Sequence, residues 1–187
     1  MLEIKKVETP DFFNSWIENK KEYSQRLREF ILEKEQSNVC CYCEKGITAD
    51  KNKSHIEHIR PQAKFPQLKN NYNNLVVSCE TVGRCGKAKG NKFSKHFIVS
   101  TEENPGEYLT YSPYGEIKAI NNNNKGIETI SILNLNAPSL VKARRTLFIQ
   151  LKALSDSIDD FEKYFNEYPT FMEYFKENYK NTPQKYL

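Results

Sequence analysis

Two histidines and a glutamate stand close together in the segment SHIEHIRPQ, residues 54–62. Hydrolysis of a phosphodiester bond needs a deprotonated water and a positive charge beside the oxygen that becomes negative. His58 suits the role of base, because a neutral imidazole takes a proton from water near pH 7. Glu57 offers hard carboxylate oxygens, which suit Mg²⁺ or Mn²⁺. His55 is either a further metal ligand or an exposed or packed histidine.

Four of the five cysteines form two pairs, one on each side of this segment. Cys40 and Cys43 are spaced to hold one tetrahedral Zn²⁺ from a tight turn, and Cys79 with Cys85 can complete the shell. Thiol redox chemistry is the alternative for the first pair, but no parallel-sheet pattern surrounds it. The spacing therefore predicts a structural zinc site, with Cys41 left as a buried, inert thiol.

Positive charge is concentrated around the cysteines. Residues 38–96 contain eleven Lys and Arg against four Asp and Glu, in a chain whose net charge is +4. Such a surplus predicts a polyanionic partner, because each phosphate that is neutralised releases counterions. A solvated lysine face is the alternative. The candidate phosphate contacts are Arg84, Lys87, Lys89 and Lys92.

The elements that must position these residues follow from hydrophobic spacing. Thr9 and Pro10 are typical of a helix start, and apolar residues at helical spacing predict one long helix up to about Glu35. The segments KSHIEHI and NLVVSC predict two short strands, and GKAKGNKFSKHF predicts the opening of a helix. The motif residues would then lie on a strand, a loop, a second strand and a helix.

The second half of the chain has the pattern of a scaffold. The segment EYLTYSPYGEIKAI predicts a pair of strands, NNNNKG a loop, and the residues from Pro138 an amphipathic helix. An aromatic stripe then runs to Tyr168, is interrupted by Pro169 and continues with Phe171 and Phe175. Such a stripe belongs either to the core or to a docking surface. Its earlier members are Phe161, Tyr164 and Phe165.

In order, the motifs CxYCE, IEHIRP, YNNLVVSC and C…KGNKF resemble those of the HNH endonucleases. The segments YLTYSPYGEIKA and ISILNLNAPSLVKARR extend the resemblance to the HNH nuclease subunit of Septu and retron-type antiphage systems, over roughly residues 38–146. The resemblance implies an α+β chain with a ββα-metal core, in which two strands and a helix surround one catalytic divalent ion. It also implies a bend that brings Glu57 and His58 to one site, since neighbouring side chains of a regular strand point apart.

The family pattern also suggests roles for residues beyond the first strand. Asn74 matches the middle Asn, which would hold His58 by bonding across the loop backbone; an ordinary turn Asn is the alternative. Relatives often carry a metal-binding Asn directly after the last Cys, where this chain has Gly86. If the helix presents residues 87 and 91 one turn apart, Asn91 replaces that ligand and Lys87 contacts phosphate. Lys89 either contacts phosphate or holds the helix, and His96 is a weaker ligand candidate.

These observations predict a metal-dependent HNH endonuclease that hydrolyses nucleic acid, with DNA as the expected substrate. It would contain structural Zn²⁺ and catalytic Mg²⁺ or Mn²⁺, and would act in antiphage defence with an ATPase subunit. The alternative is a non-catalytic, zinc-stabilised module that binds nucleic acid or protein. A base beside a hard metal ligand favours the nuclease, whereas Gly86 favours the alternative.

The expected organisation has three parts. Residues 1–37 form an N-terminal helical segment, 38–100 the nuclease core with its zinc site, and 101–187 a hairpin and helical region that is a candidate for partner docking. No apolar run reaches the length of a membrane span, and the first residues lack the pattern of a signal peptide. A soluble, cytoplasmic protein without membrane contact is therefore expected.

Overall fold

Helices and two small antiparallel sheets make up an α+β fold in the computed structural model, which describes residues 1–155 and 165–179. No helix in these two ranges is both long and apolar enough to cross a membrane. The helices and strands are α1 (Phe13–Glu18), α2 (Lys20–Glu35), β1 (Ser54–His58), β2 (Leu75–Cys79), α3 (Cys85–Lys89), β3 (Leu109–Tyr111), β4 (Ile117–Ala119), α4 (Asn124–Leu133), α5 (Pro138–Ser155) and α6 (Pro169–Tyr179).

The N-terminal segment contains two helices, so the prediction of one long helix starting at Thr9 is wrong. Asn19 separates α1 from α2 with φ −133° and ψ 75°, values outside the helical region. Its side chain accepts a hydrogen bond of 3.3 Å from the backbone N–H of Glu22. Asparagine is among the preferred helix-capping residues, because its side-chain oxygen satisfies an otherwise unpaired donor. Asn19 therefore starts a second helix and redirects the chain.

The two predicted strands at the centre of the site are confirmed. β1 and β2 pair in antiparallel register from Ser54 opposite Cys79 to His58 opposite Leu75. Every residue of β2 is buried, as expected for a strand covered on both faces. Val76 packs with the core that includes the cysteines and the C-terminal helices, whereas Val77 packs with the core of α1 and α2.

Helix α3 is shorter than the sequence predicts. It begins at Cys85 and ends at Lys89, because Gly90 takes φ 50° and ends the helical geometry. Asn91 consequently lies outside the helix in an exposed turn. The expectation that residues 87 and 91 lie one helical turn apart on α3 is therefore wrong.

The hairpin of β3 and β4 and the helix from Pro138 match the sequence predictions. The segment NNNNKG is only partly a loop, because α4 begins at Asn124 within it. Asn123 caps this helix by accepting a hydrogen bond of 2.7 Å from the N–H of Gly126. A run of asparagines thus contains a helix start, which is a common place for this residue type.

The described part of the aromatic stripe packs into the interior. Phe171 and Phe175 of α6 are fully buried, and their rings lie 5.1 Å from Tyr111 and 5.4 Å from Phe148, respectively. Tyr168 is also buried and Phe165 is partly buried. These residues favour the core alternative for the stripe. The predicted stripe members Phe161 and Tyr164 lie outside the described residues.

Candidate functional site

The two predicted cysteine pairs meet at one point. The Sγ atoms of Cys40, Cys43, Cys79 and Cys85 all lie within 4.8 Å of one another, and all four residues are buried. The first pair comes from the turn after α2, whereas the second brackets the loop between β2 and α3. Four converging thiolates are the ligand set of a structural zinc site. This cluster can therefore hold a metal such as zinc.

The thiols differ in their electrostatic environment. The contact with Cys40 acts to raise the pKa of Cys79, but hydrogen bonds with Cys43 and Cys85 outweigh it and lower this pKa to about 6. Burial raises the pKa of Cys41 well above its usual value, so this thiol stays protonated. Cys41 is fully buried and is not part of the four-cysteine cluster.

Glu57 of β1 lies at the centre of a buried polar cluster. Its Oε1 is 2.6 Å from the ammonium of Lys89, which is only 1% exposed and also donates a hydrogen bond of 2.9 Å to the carbonyl of His58. Tyr42, which lies between Cys40 and Cys43 in the sequence, donates a hydrogen bond of 3.4 Å from its hydroxyl to Oε1. Burial acts to raise the pKa of Glu57, but His55 and Lys89 lower it below its usual value. Glu57 is therefore an ionised carboxylate.

The second oxygen of Glu57 faces His55 on the same side of β1. Glu57 Oε2 lies 3.3 Å from His55 Nε2, and His55 Nδ1 lies 2.8 Å from Oε1 of Glu80. Glu80 also pairs with Lys87 over 2.6 Å. At metal sites an imidazole commonly binds the ion through one nitrogen and contacts a carboxylate through the other, because the carboxylate orients the ring. In His55 the Glu80 carboxylate lies at Nδ1, so Nε2 is the candidate ligand atom.

Gly86 allows helix α3 to approach β1 closely. A Cβ atom at this position would lie 2.6 Å from His55 Nε2 and 3.0 Å from Glu57 Oε2. The Gly86 N–H donates a hydrogen bond of 3.1 Å to the Ser78 hydroxyl of β2, which fixes the start of the helix. The imidazole of His55 thus occupies space that any side chain at residue 86 would need.

His58, the last residue of β1, has different neighbours. Its Nε2 lies 2.9 Å from the carbonyl oxygen of Lys69, an acceptor, so Nε2 carries the proton and Nδ1 carries the lone pair in the neutral ring. Burial and the nearby Lys20 ammonium lower the pKa of His58 below its usual value, outweighing the Lys69 hydrogen bond and the Glu57 charge. The imidazole is therefore neutral at pH 7.

Asn74 closes the loop between the two strands. Its Oδ1 accepts a hydrogen bond of 2.8 Å from the Arg60 N–H, and its Nδ2 donates to the carbonyls of Arg60 and Leu68 over 3.0 and 3.3 Å. Leu68 directly precedes the residue whose carbonyl contacts His58. Asn74 is 4% exposed. The amide thus ties both ends of the loop together beside the imidazole.

The structure does not bring the side chains of Glu57 and His58 onto one face. β1 stays paired with β2 in regular register through His58, so the expected bend is absent. Glu57 points to α3, whereas His58 lines a cavity with α1 and α2. Because the Glu57 charge still influences the pKa of His58, the two groups lie near the same end of the strand.

The predicted phosphate contacts are mostly engaged with protein groups. Lys89 is enclosed with Glu57, Lys87 pairs with Glu80, and Arg84 is 7% exposed and donates hydrogen bonds to Thr81 and Ser139. Lys92 and the proposed ligand Asn91 are exposed, and His96 is partly buried. The side chains of Arg84 and Lys89 are therefore buried among protein groups of the described structure.

Sequence reasoning missed Glu80, Lys20 and Lys69. Glu80 directly follows Cys79, the last residue of β2, and this position gives a signal, because Cys79 pairs with Ser54 at the start of the strand that carries His55 and Glu57. Lys20 and Lys69 offered no signal in the sequence, since they reach His58 only through the fold.

Comparison with known proteins gives one similarity and one negative result. The chain is 31% identical over 102 residues to the Septu protein PtuB of Bacillus thuringiensis, and this match covers 54% of the chain but only 37% of the relative. No family model matches the chain. The aligned part thus spans little more than a third of a curated relative, and the chain is similar to a Septu protein over about half of its length.

Proposed function

We propose that this protein is a metal-dependent HNH endonuclease that hydrolyses phosphodiester bonds of nucleic acid, with DNA as the expected substrate. Its similarity to the Septu protein PtuB suggests a component of a Septu-type antiphage defence system. In such a system the protein would act as the nuclease together with an ATPase subunit. The proposal of nuclease activity rests on the hydrogen bonds that position His58.

The support lies in how the loop fixes His58. His58 Nε2 donates a hydrogen bond of 2.9 Å to the Lys69 carbonyl, and Asn74 fixes the backbone on both sides of the loop. The Nδ1 lone pair is then available to accept a proton from a water molecule. Holding a base in one tautomer and one orientation lowers the entropic cost of reaching the transition state.

The donors beside Gly86 fit a catalytic ion. Glu57 Oε2 and His55 Nε2 are two potential ligand atoms 3.3 Å apart. A site with few protein ligands suits an ion that completes its shell with water and substrate phosphate. An imidazole together with a carboxylate suits Mn²⁺ better than Mg²⁺. When bound, such an ion would stabilise negative charge on the phosphate and its leaving oxygen.

The protein groups perform the remaining work. His58 would accept the proton of the attacking water, and Asn74 would keep the imidazole in position. Because Glu57 and His58 lie on different faces of β1, the scissile phosphate would have to lie at the end of this strand, within reach of both faces. Lys89 keeps Glu57 ionised and fixes its orientation, since the ammonium bonds both the carboxylate and the carbonyl of His58. Asn91 remains a proposed ligand only if the turn after α3 moves towards Glu57.

A second candidate function is a non-catalytic, zinc-stabilised module that binds nucleic acid. Both oxygens of Glu57 contact protein groups, Lys89 on one side and His55 on the other. Gly86 supplies no ligand. A carboxylate that only links β1 to α3 would show the same contacts, so these two observations favour the binding module.

Plasmid cleavage separates the two functions. Wild type and His58→Ala would be compared with Mg²⁺ or Mn²⁺, and then without divalent ion, each with and without the ATPase partner. The nuclease predicts metal-dependent nicking that falls at least about 100-fold in His58→Ala, the size of a typical general-base contribution. Unchanged zinc content and melting temperature would show that the variant is folded. Absence of cutting under every condition, with DNA binding retained, would favour the binding module.

A further inference from the structure

The side of His58 away from Glu57 opens into a cavity between β1 and the N-terminal helices. The cavity has a volume of about 420 Å³. Its lining includes Lys20 and Arg28 of α2, Lys69 of the β1–β2 loop, and His58 itself. No Asp or Glu is among the described residues that line it. Three cationic side chains therefore surround the imidazole without an acid.

The two lysines repel each other. The charge of Lys69 lowers the pKa of Lys20, a second effect after burial. Within the described ranges, neither ammonium forms an ion pair with a carboxylate. Like charges held close together raise the electrostatic free energy of the empty cavity, and an anion between them relieves that repulsion.

The fold holds two of these cations, Lys20 and Arg28, in place. The Lys20 ammonium lies 4.4 Å from the centroid of the Trp16 ring, and Trp16 donates a hydrogen bond of 3.2 Å from Nε1 to the Ser24 hydroxyl. Arg28 donates from Nε to the carbonyl of Ala49 over 2.7 Å, which orients its guanidinium. Contact with an aromatic face restricts an ammonium without neutralising its charge. Lys20 and Arg28 thus keep their positive charges at fixed positions in the cavity wall.

We propose that Lys20 and Lys69 bind a phosphate of a nucleic-acid backbone next to the phosphate that is attacked by the water His58 would deprotonate. The N-terminal helices would then form part of the substrate site, although they lie outside the segment that carries the HNH motifs. The inference rests on the proposed function for its catalytic consequence, but not for binding itself. Because the contacts are to phosphate, they recognise the backbone and not the base sequence.

The test measures binding of the full-length protein to fluorescein-labelled duplexes by fluorescence anisotropy, without added Mg²⁺ or Mn²⁺. The test variant is Lys20→Gln/Lys69→Gln. We expect at least a tenfold loss of affinity at about 0.15 M salt, and a salt dependence whose slope falls by about two, one for each lost phosphate contact. A DNA duplex and an RNA duplex of the same sequence show which nucleic acid supplies the phosphate.

Two matched variants control for charge and fold. Lys21→Gln/Lys34→Gln removes two exposed lysines from the same helix, outside the cavity, and we expect a smaller change of less than about threefold. Lys20→Arg/Lys69→Arg keeps both charges and should retain binding. Equal losses in the cavity variant and the exposed variant would overturn the inference, because only the net charge would then matter.

The same variants separate this inference from the proposed function. If wild type cuts DNA and Lys20→Gln/Lys69→Gln cuts with unchanged KM, the cavity does not bind substrate although the nuclease proposal stands. If wild type binds but never cuts, and the cavity variant loses binding, the phosphate site stands and the nuclease proposal fails. If wild type binds neither duplex at low salt, both proposals fail.

Discussion

At the scale of single residues, the contact of Gly86 with His55 distinguishes this site from the family pattern. The HNH resemblance leads one to expect a ligand directly after the last cysteine, and the chain has none there. His55 Nε2 instead lies where a Cβ of residue 86 would come within 2.6 Å of it. In the proposed nuclease, His55 of the neighbouring strand would supply the ligand atom that residue 86 lacks.

Gly86→Ala tests this replacement. We expect Mn²⁺ affinity to fall about 10- to 100-fold, because the added methyl group would displace the imidazole from Glu57. Helix stability should not fall, since Ala is favoured over Gly inside a helix by up to about 1 kcal/mol. Isothermal titration with Mn²⁺ and a thermal melt of zinc-loaded protein measure the two effects separately.

The matched controls are one remote glycine and one exchange of ligands. Gly106→Ala lies in an exposed turn, where a Cβ would contact mainly the side chain of Asn104, and should leave Mn²⁺ binding unchanged. His55→Ala/Gly86→Asn removes the clash and returns a ligand to the helix, so it should bind Mn²⁺ better than Gly86→Asn alone. Full Mn²⁺ affinity in Gly86→Ala would contradict the role given to His55.

At the scale of secondary-structure elements, the sequence predicts those whose pattern is local. Strands β1 and β2 and helix α5 follow from alternation or helical spacing of apolar residues. The break at Asn19 and the start of α4 were missed, because asparagine supports a loop and a helix cap equally well by sequence. The cysteine cluster was predictable from spacing, whereas the cavity lysines were not, since α2 and the β1–β2 loop, which are distant in sequence, bring them together.

Gln36 links α2 to the central sheet and gave no sequence signal. Its side-chain amide donates to the Val77 carbonyl over 2.9 Å and accepts from the Val77 N–H over 2.7 Å, and the residue is 1% exposed. Gln36→Ala should lower the free energy of unfolding by about 2 kcal/mol, because it leaves a buried backbone N–H unpaired. Urea denaturation measures the loss. Gln25 is exposed within α2, and Gln25→Ala should change stability by less than about 0.5 kcal/mol.

Asn123 allows a test of the helix start inside the asparagine run. It accepts from the Gly126 N–H and donates to the carbonyls of Tyr108 and Ile120 over 2.9 and 2.7 Å. Asn123→Ala should therefore cost about 1–2 kcal/mol of stability. Its neighbour Asn124 is exposed, so Asn124→Ala should have little effect. Equal losses in the two variants, measured by thermal melting, would contradict the assigned cap.

At the scale of the whole molecule, the cysteine cluster joins the candidate site to the C-terminal helices. Glu44, directly after Cys43, is 1% exposed and accepts hydrogen bonds from the backbone N–H and hydroxyl of Thr170 in α6 over 2.8 and 2.5 Å. On the other side, Tyr42 donates to Glu57 over 3.4 Å. One cysteine-containing turn thus contacts both Glu57 and a helix distant in sequence. We therefore expect that disorder in this turn would disturb both the position of Glu57 and the packing of α6.

Loss of zinc should consequently disrupt more than the cysteine turn. Cys79→Ser removes one of four converging ligands, and structural zinc supplies on the order of 10 kcal/mol to small sites. We expect loss of bound zinc, measured by mass spectrometry, together with a lower melting temperature and faster hydrogen exchange in α6 as well as in β2. Chelation of wild type should reproduce these changes. If the cysteines were redox groups instead, a chelator would leave the fold intact.

Cys41 provides the matched control for this prediction, because it is as deeply buried as the four ligands but is not part of their cluster. Burial raises the pKa of its thiol well above the usual value, so it stays neutral, and its hydrogen bond with Cys40 is one that a Ser hydroxyl can keep. Cys41→Ser should retain one zinc per chain and exchange in α6 as slowly as wild type does. Any loss of stability should then reflect the polarity of the buried hydroxyl, about 1–3 kcal/mol. Zinc loss in Cys41→Ser equal to that in Cys79→Ser would mean that general packing, and not a four-thiolate metal site, holds the turn to Glu57 and Thr170.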